Sequence, residues 1–194
     1  QHLLRPHDHK RPSTMGAYVD RVLAAGETDD FYMVALNQNL YRPALAPLFD
    51  DVRPYPPIVP DPSPEQALNL WFGPQGTRTP LHHDQANILF CQVYGRKRFH
   101  LISPRELALT PYSYGLTCPI DCEAPDLARF PDFADVAVHT VDLGPGEALF
   151  LPVGWWHQVR ALDVAISVTF TAFDRPNEYA GIFETLVNQP LSDS

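Results

Sequence analysis

The chain has 194 residues, of which 45% are hydrophobic and 19% are charged, and these values are typical of a globular rather than a disordered protein. Its formal net charge is −9, which argues against nucleic acid as the main partner because a nucleic-acid backbone is bound by a basic face. No apolar run has the length of a membrane span, so no membrane association is expected. We predict one domain over residues 1–194 that acts on a small molecule, a protein or a peptide.

The three cysteines, Cys91, Cys118 and Cys122, form an odd set. An odd number without a signal peptide favours free thiols in a reducing compartment, which predicts a cytoplasmic protein. Cys118 and Cys122 resemble half of a zinc site, but no second pair completes four ligands. The chain starts at Gln1 without an initiator methionine, which leaves open that it is part of a longer protein.

The first part of the chain predicts a helix, a strand and a connector. Residues 13–27 begin with a Ser/Thr cap, have apolar side chains at helical spacing and end at Gly26. Residues 30–37, "DFYMVALN", favour a strand. The segment 53–65 is rich in proline, which excludes a helix interior or a central strand and predicts an extended surface connector.

Seven short β-type runs follow the connector, separated by turns that contain Gly and Pro, and this pattern favours a sandwich or barrel. They cover residues 68–73, 79–91, 92–102, 138–143, 147–152, 156–161 and 163–173. Residues 110–133 form a Pro-rich insert between two of these runs. Residues 174–194 predict a C-terminal amphipathic helix, whose apolar stripe packs on the domain's own sheet or forms a homodimer contact.

The segment "PLHHDQ" places two histidines and an aspartate next to each other. On a strand the side chains alternate, so His82 and Asp84 are expected to share one face and His83 to take the other. This pair alone is a weak signal, because a histidine beside a carboxylate is common without a metal.

A third candidate ligand lies far along the chain. In "PVGWWHQV", His157 sits in an apolar strand, where an imidazole without a partner is costly. Two histidines and one carboxylate, His82, Asp84 and His157, form a facial triad that leaves three metal positions open, as non-haem Fe(II) oxygenases require. We predict that these three residues are the metal ligands and the catalytic centre.

The segments "LWFGPQGTRTPLHHDQANILFCQVYGRKRFHLISP" and "PGEALFLPVGWWHQV" resemble the JmjC/cupin-like Fe(II)- and 2-oxoglutarate-dependent oxygenases. Asparaginyl hydroxylases of the factor-inhibiting HIF type and small JmjC hydroxylases are similar. The resemblance covers about residues 31–173. It implies a mainly β fold, a double-stranded β-helix or jelly roll with flanking N- and C-terminal helices and a metal at one mouth of the barrel. It also implies Fe(II) and 2-oxoglutarate as cofactors.

Lys97 alternates in phase with Phe99 and Leu101, so it points inward among apolar neighbours and needs a counter-charge. The resemblance implies that this counter-charge is the distal carboxylate of 2-oxoglutarate. Four further cofactor-binding residues rest on the resemblance alone: Thr79, Tyr32, Asn87 and Thr169. Thr169 departs from the family pattern, because the asparaginyl hydroxylase has asparagine at that place.

These observations predict a dioxygenase that hydroxylates an unactivated C–H, on a protein or peptide side chain, and releases succinate and CO2. Two alternatives remain. The chain could be a non-catalytic, metal-binding cupin module, although such a module has no need of an inward lysine. It could also be an N-methyl-lysine demethylase, since hydroxylation of an N-methyl group releases formaldehyde.

Overall fold

The computed structural model describes residues 10–34, 39–52, 68–173, 176–177 and 179. In these residues the chain forms one α-helix, short 3-10 helices and eight β-strands. None of the described helices has the length and apolar character that crossing a membrane requires. The predicted connector 53–65 and almost all of the predicted helix 174–194 lie outside the described residues, so the homodimer contact proposed for that helix stays a prediction.

The predicted N-terminal helix is confirmed. Helix α1 spans Met15–Ala24, and the Thr14 hydroxyl caps it by accepting a hydrogen bond from the Ala17 backbone N–H at 3.3 Å. Gly26 has a φ of 65°, the left-handed conformation that commonly ends a helix. The Tyr18 hydroxyl donates to the Phe72 carbonyl at 2.7 Å, which fixes the helix to the first strand.

The strands form two four-stranded antiparallel sheets with the orders β1-β8-β3-β6 and β2-β7-β4-β5. Their bounds are β1 Leu68–Gly73, β2 Arg78–His82, β3 Ile88–Tyr94, β4 Lys97–Ile102, β5 His139–Leu143, β6 Ala148–Leu151, β7 Trp156–Ala161 and β8 Ala165–Phe170. Consecutive strands mostly alternate between the two sheets. This arrangement is the jelly roll, or double-stranded β-helix, and the predicted fold class is confirmed.

Two strand predictions are wrong in their bounds. The predicted strand 79–91 is two strands, because β2 ends at His82 and β3 begins at Ile88. The boundary predicted at residue 92 lies inside β3, and the turn to β4 comes at Gly95. Of the strand predicted over 30–37, the described residues form only a single bridge, between Met33 and Phe72.

The space between the sheets is filled by side chains from both. One core cluster consists of Phe90, Phe99, Leu101, Leu143, Leu151 and Val159. Because β3 and β6 belong to one sheet and β4, β5 and β7 to the other, this cluster is the interior of the barrel. Phe99 of β4 and Val159 of β7 pair directly. Residues two or four positions away from them on the same strand therefore also point into the barrel.

The outer face of each sheet is also covered. The N-terminal 3-10 helices, Asn39–Tyr41 and Pro43–Asp50, pack their apolar side chains on β1 and β8. The insert 110–133, with flanking 3-10 helices Leu107–Tyr112 and Pro131–Asp135, covers Leu81, Ile102 and Trp156 on the other sheet. Burial on both faces explains the largely apolar sequence of β1, LNLWFG.

We expect Gly95→Ala to destabilise the protein much more than Gly115→Ala. Both glycines have left-handed φ values, 66° and 57°, so each alanine costs about 1–2 kcal/mol of backbone strain. A Cβ at Gly95 would also overlap the Val164 carbonyl, whereas one at Gly115 meets open space. In urea unfolding, the free energy of unfolding of Gly95→Ala should fall by a further amount of about 1–3 kcal/mol. Equal losses in the two variants would contradict the β3–β4 turn geometry.

Candidate metal centre and cosubstrate site

His82 is the last residue of β2 and reaches the barrel interior through a β-bulge. Thr79 pairs with Val159, and His82 pairs with His157, so two residues of β2, Pro80 and Leu81, oppose the single residue Gln158 of β7. Pro80 lies inside this irregularity, and it interrupts the ladder because it has no N–H to donate. The bulge turns both Thr79 and His82 to the inner face, whereas regular alternation would separate them.

His157 reaches the same face from the neighbouring strand. It is the second residue of β7 and is in register with Leu101, which belongs to the interior cluster. Its side chain is buried, and its ring lies 4.1 Å from the His82 ring, measured between centroids. The two histidines are thus cross-strand neighbours, as the sequence predicted.

Asp84 does not lie on a strand, so the reason given for its direction was wrong. Strand β2 has already ended, and Asp84 belongs to the loop between β2 and β3. The loop nevertheless carries the carboxylate to both histidines. Asp84 Oδ2 is 3.8 Å from His82 Nε2 and 3.5 Å from His157 Nε2.

The three side chains form a set of potential metal ligands. One donor atom from each of His82, Asp84 and His157 lies within 4.8 Å of the other two. A single ion with donor distances of about 2.1 Å spans two ligand atoms up to about 4.2 Å apart, so both measured carboxylate–imidazole separations fit one shared ion. The set is half-exposed at Asp84 and buried at His157, which leaves an approach from solvent.

The histidine rings are oriented as ligands. Nδ1 of His82 lies 2.8 Å from the Pro80 carbonyl, and Nδ1 of His157 lies 3.0 Å from the Trp155 carbonyl. A carbonyl only accepts, so each Nδ1 must carry the proton and donate it. Each Nε2 is then left with its lone pair, directed to the Asp84 carboxylate. A backbone carbonyl that fixes the tautomer is typical of metal-binding histidines, so the residues fit a divalent metal.

Burial keeps His157 neutral. Desolvation, with a smaller contribution from the nearby His82, lowers the pKa of His157 to about 4. The neutral form is the one that binds a metal.

His83, the residue after β2, lies on the side of the sheet opposite to His82, as predicted. Its ring packs edge-on against Trp156 at 4.5 Å between centroids, and it is buried. Burial lowers the pKa of the His83 imidazole. His83 therefore belongs to the packing between this sheet and the insert, and it lies outside the group of potential ligands.

Lys97 is buried inside the barrel. It is the first residue of β4, it is 1% exposed, and its Nζ donates to the Tyr32 hydroxyl at 2.7 Å. Three aromatic rings, those of Tyr32, Trp71 and Phe90, lie 5.1–5.8 Å from this ammonium group. No carboxylate of the described residues lies within ion-pair distance of it. The sequence predicted the inward direction of Lys97 but not this aromatic surrounding.

Burial lowers the pKa of Lys97 to about 7 because the charged form is desolvated. Burial likewise raises the pKa of the Tyr32 hydroxyl, which therefore stays protonated. The Tyr32 ring fits here because Gly73 has no side chain: a Cβ on Gly73 would lie 2.6 Å from the ring. Lys97 is a cation site that an incoming anion would stabilise.

The positions of Thr79 and Thr169 agree with the predicted cosubstrate site, although no contact tests their roles. Thr79 pairs with Val159, midway along β7 between the levels of His157 and Ala161, and Ala161 pairs with Lys97. The Thr169 hydroxyl, on β8, accepts a hydrogen bond from Trp71 Nε1 at 3.0 Å.

Asn87 has structural contacts that the sequence did not predict. Its Oδ1 accepts from the Val153 N–H at 2.9 Å, and its Nδ2 donates to Asn177 Oδ1 at 2.7 Å. Both ends of the Asn87 amide therefore contact protein. The cosubstrate contact assigned to Asn87 by resemblance stays a prediction.

The sequence profile of the cupin-like domain family matches residues 5–176. The chain belongs to this cupin-like JmjC family. JmjC enzymes are Fe(II)- and 2-oxoglutarate-dependent oxygenases, and the His–Asp–His group and jelly roll of this chain are those of a JmjC domain.

Two curated relatives are named lysine-specific demethylase 8. The one from Danio rerio is 34% identical over 168 residues, 81% of this chain and 40% of the relative. The one from Xenopus tropicalis is 41% identical over 110 residues, 55% of this chain and 25% of the relative. This JmjC chain therefore spans well under half the length of either. Among solved structures, the Escherichia coli ribosomal oxygenase YcfD matches 57% of the chain and 24% of its own, with 22% identity and a TM-score of 0.36.

We expect the JmjC domain to bind one divalent metal through His82, Asp84 and His157. Alanine at any of these positions removes a donor and should reduce affinity for Mn(II) or Fe(II) by at least about 100-fold. Isothermal titration of the chelator-treated protein measures this.

His83→Ala is the matched control, because His83 adjoins two ligands in sequence but packs against Trp156. The variant should lose stability and keep its metal affinity within a few-fold. Loss of metal binding equal to that of Asp84→Ala would contradict the ligand assignment.

We expect Lys97→Met to weaken 2-oxoglutarate binding by about 10- to 100-fold, because a charge-assisted hydrogen bond contributes about 1.5–3 kcal/mol. In the native protein only protonated Lys97 attracts the carboxylate, and its pKa is about 7. Affinity should therefore fall as pH rises from 7 to 9, approaching tenfold per unit, and Lys97→Met should lack this slope.

Arg98→Met is the control from the same strand, because Arg98 faces outward and pairs with Asp142 at 2.7 Å. Its 2-oxoglutarate affinity and pH dependence should match the native protein. A titration in Mn(II) measures all three proteins, and a Lys97→Met variant with native affinity would remove Lys97 from the site.

Proposed function

We propose that this JmjC domain hydroxylates an unactivated C–H of a protein or peptide side chain, with 2-oxoglutarate and O2 as cosubstrates and succinate and CO2 as products. The observation that carries the proposal is the combination of two sites on one inner face. The potential metal ligands His82 and His157 and the buried cation Lys97 all project from the sheet β2-β7-β4-β5 into the barrel.

The spacing of these two sites suits a small dianion. His157 is in register with Leu101, and Lys97 lies four residues away on the same strand, about 13 Å along the backbone. The space between these two levels is bordered by apolar residues and by Thr79, so an anion there would be desolvated and its pairing with Lys97 strengthened.

Each group of residues has a separate role in this proposal. The triad would hold Fe(II), and Lys97 with Tyr32 and Thr79 would hold the distal carboxylate of 2-oxoglutarate. When bound, the iron and cosubstrate supply the oxidation of the C–H bond by O2. The chain itself would orient the cosubstrate, keep His157 neutral and exclude water from the barrel interior.

A protein substrate is supported by the names of the relatives, which are lysine-specific demethylases. Because this chain covers only part of each relative, the substrate class remains a proposal. The acidic net charge of −9 is also compatible with a basic peptide.

N-methyl-lysine demethylation is the second candidate, and the relatives' names favour it. It requires the same step, since hydroxylation of an N-methyl carbon gives a product that loses formaldehyde. The two outcomes therefore differ in which substrate carbon lies near the metal and not in the residues that hold the metal.

We expect succinate formation that requires Fe(II), O2 and Asp84. The chelator-treated protein is reconstituted with Fe(II), ascorbate and 2-oxoglutarate, with a panel of peptides that includes methyl-lysine forms. Asp84→Ala removes the carboxylate ligand and should lower the rate by at least about 100-fold, while His83→Ala should keep it.

Mass spectrometry of the peptides separates the two candidates. A gain of 16 Da without formaldehyde supports hydroxylation, and a loss of 14 Da with formaldehyde supports demethylation. If no succinate depends on Asp84 across the panel, the domain is a metal-binding module without turnover.

A further inference from the structure

The loop that carries Asp84 is held in place from outside. The Asp84 carboxylate lies 3.8 Å from the His82 ring and 3.5 Å from the His157 ring. Since Asp84 is not on a strand, no β-ladder fixes its backbone. The position of the carboxylate therefore depends on the hydrogen bonds that the loop makes with its neighbours.

Three neighbouring segments supply these bonds. In the insert, the Leu116 carbonyl accepts a hydrogen bond from the His83 backbone N–H at 2.9 Å. The turn between β6 and β7 donates the Gly154 N–H to the Asp84 carbonyl at 3.2 Å. The segment after β8 donates the Tyr179 N–H to the Gln85 carbonyl at 3.0 Å.

Asn177, in the segment after β8, makes the densest set of side-chain contacts to this loop. Its Oδ1 accepts from the Asn87 N–H at 2.9 Å and from Asn87 Nδ2 at 2.7 Å. Its Nδ2 donates to the Asn87 carbonyl at 2.8 Å and to the Thr171 carbonyl at 2.6 Å. The Asn177 amide thus joins the loop of one metal ligand to the chain that leaves β8.

The connection continues to the buried ligand His157. Asn87 Oδ1 accepts from the Val153 N–H in the turn before β7, and β7 begins one residue before His157. Asn177, Asn87 and Val153 therefore link the end of β8, the Asp84 loop and the entry of the His157 strand. Only one paired arrangement of the two amides satisfies all of these bonds, so the link is specific in geometry.

We propose that Asn177 is a positioning residue for the metal centre, acting through Asn87 to hold Asp84 within reach of the two histidines. This inference rests on the proposed function, because it takes the triad as the metal site. The match to the family profile ends at residue 176. The site would therefore depend on a residue beyond the matched domain and beyond the core expected over 31–173.

The alternative is that Asn177 only adds stability. The two roles predict different measurements. Supporting hydrogen bonds around metal ligands typically change metal affinity by 10- to 100-fold, whereas a stabilising bond far from the ligands lowers the melting temperature alone.

The test is Mn(II) titration of chelator-treated Asn177→Ala at a temperature where it is folded, together with its melting temperature. We expect the Kd for Mn(II) to rise about tenfold. The KM for 2-oxoglutarate, measured at saturating metal, should change much less, because Lys97 and its partners lie at the other level of the barrel. The Co(II) absorption spectrum should also change, since it reports ligand geometry.

Gln92→Ala is the matched control. Gln92 is also a buried amide, which accepts from the Ser167 hydroxyl and donates to the Tyr94 and Gly95 carbonyls near the β3–β4 turn. Its loss should lower the melting temperature and leave the Mn(II) affinity within twofold. If Asn177→Ala is not folded, Asn177→Gln replaces it. Gln keeps the amide but places it one methylene too far from the backbone, so the Kd for Mn(II) should rise less.

Native Mn(II) affinity in Asn177→Ala, or in Asn177→Gln where that variant is used, overturns the positioning role, whatever the melting temperature. The native protein and Asp84→Ala are titrated alongside. If the native protein shows no Mn(II) binding that depends on Asp84, the proposed metal site itself is wrong. If that binding is present and the Asn177 variant matches it, only the positioning role fails.

Discussion

The buried ammonium group of Lys97 is the constraint on which the interior of this barrel depends. A charge that is 1% exposed is costly in a jelly-roll core. The Tyr32 hydroxyl and the rings of Tyr32, Trp71 and Phe90 compensate it only partly. With no carboxylate of the described residues beside it, the lysine loses protons easily, as its lowered pKa of about 7 shows. In the proposed function, the distal carboxylate of the cosubstrate would remove this penalty. Part of the stability lost to the buried charge would then be recovered on binding.

The outer face of the same sheet holds the strands in register. Arg160, on β7, contacts Glu123 at 3.1 Å and Glu27 at 2.7 Å, while Arg78, on β2, contacts Asp121 at 3.0 Å. Each exposed pair contributes little free energy by itself. As a network, however, they attach the insert and the N-terminal region to the two strands that carry the histidines. The bulge in β2, which brings His82 inward, is therefore supported from the solvent side.

Strand periodicity was enough to predict part of the site. It correctly directed Lys97 inward, because β4 is regular at that position. It also directed His83 away from His82, and His83 packs on Trp156 although β2 has already ended. It grouped Asp84 with His82 for a reason that does not hold, since β2 ends at His82 and the carboxylate returns on a loop. The bulge also has no signal in alternation, although Pro80 in the middle of a strand pattern indicated an irregularity. Side-chain alternation predicts the direction of a residue only where the backbone keeps the regular hydrogen bonds of the strand ladder.

Long-range side-chain contacts are the part that sequence alone could not predict. Asn87 and Asn177 are 90 residues apart. The resemblance singled out Asn87 for a cosubstrate contact, but no sequence pattern pairs it with Asn177. Their pairing arises because β8 ends beside the start of β3, so the chain leaving the barrel passes the Asp84 loop. The β2–β7 ladder holds His82 beside His157, but Asp84 lies on the loop after β2 and has no ladder of its own. In the role proposed for Asn177, contacts from outside the ladder keep this third donor in place.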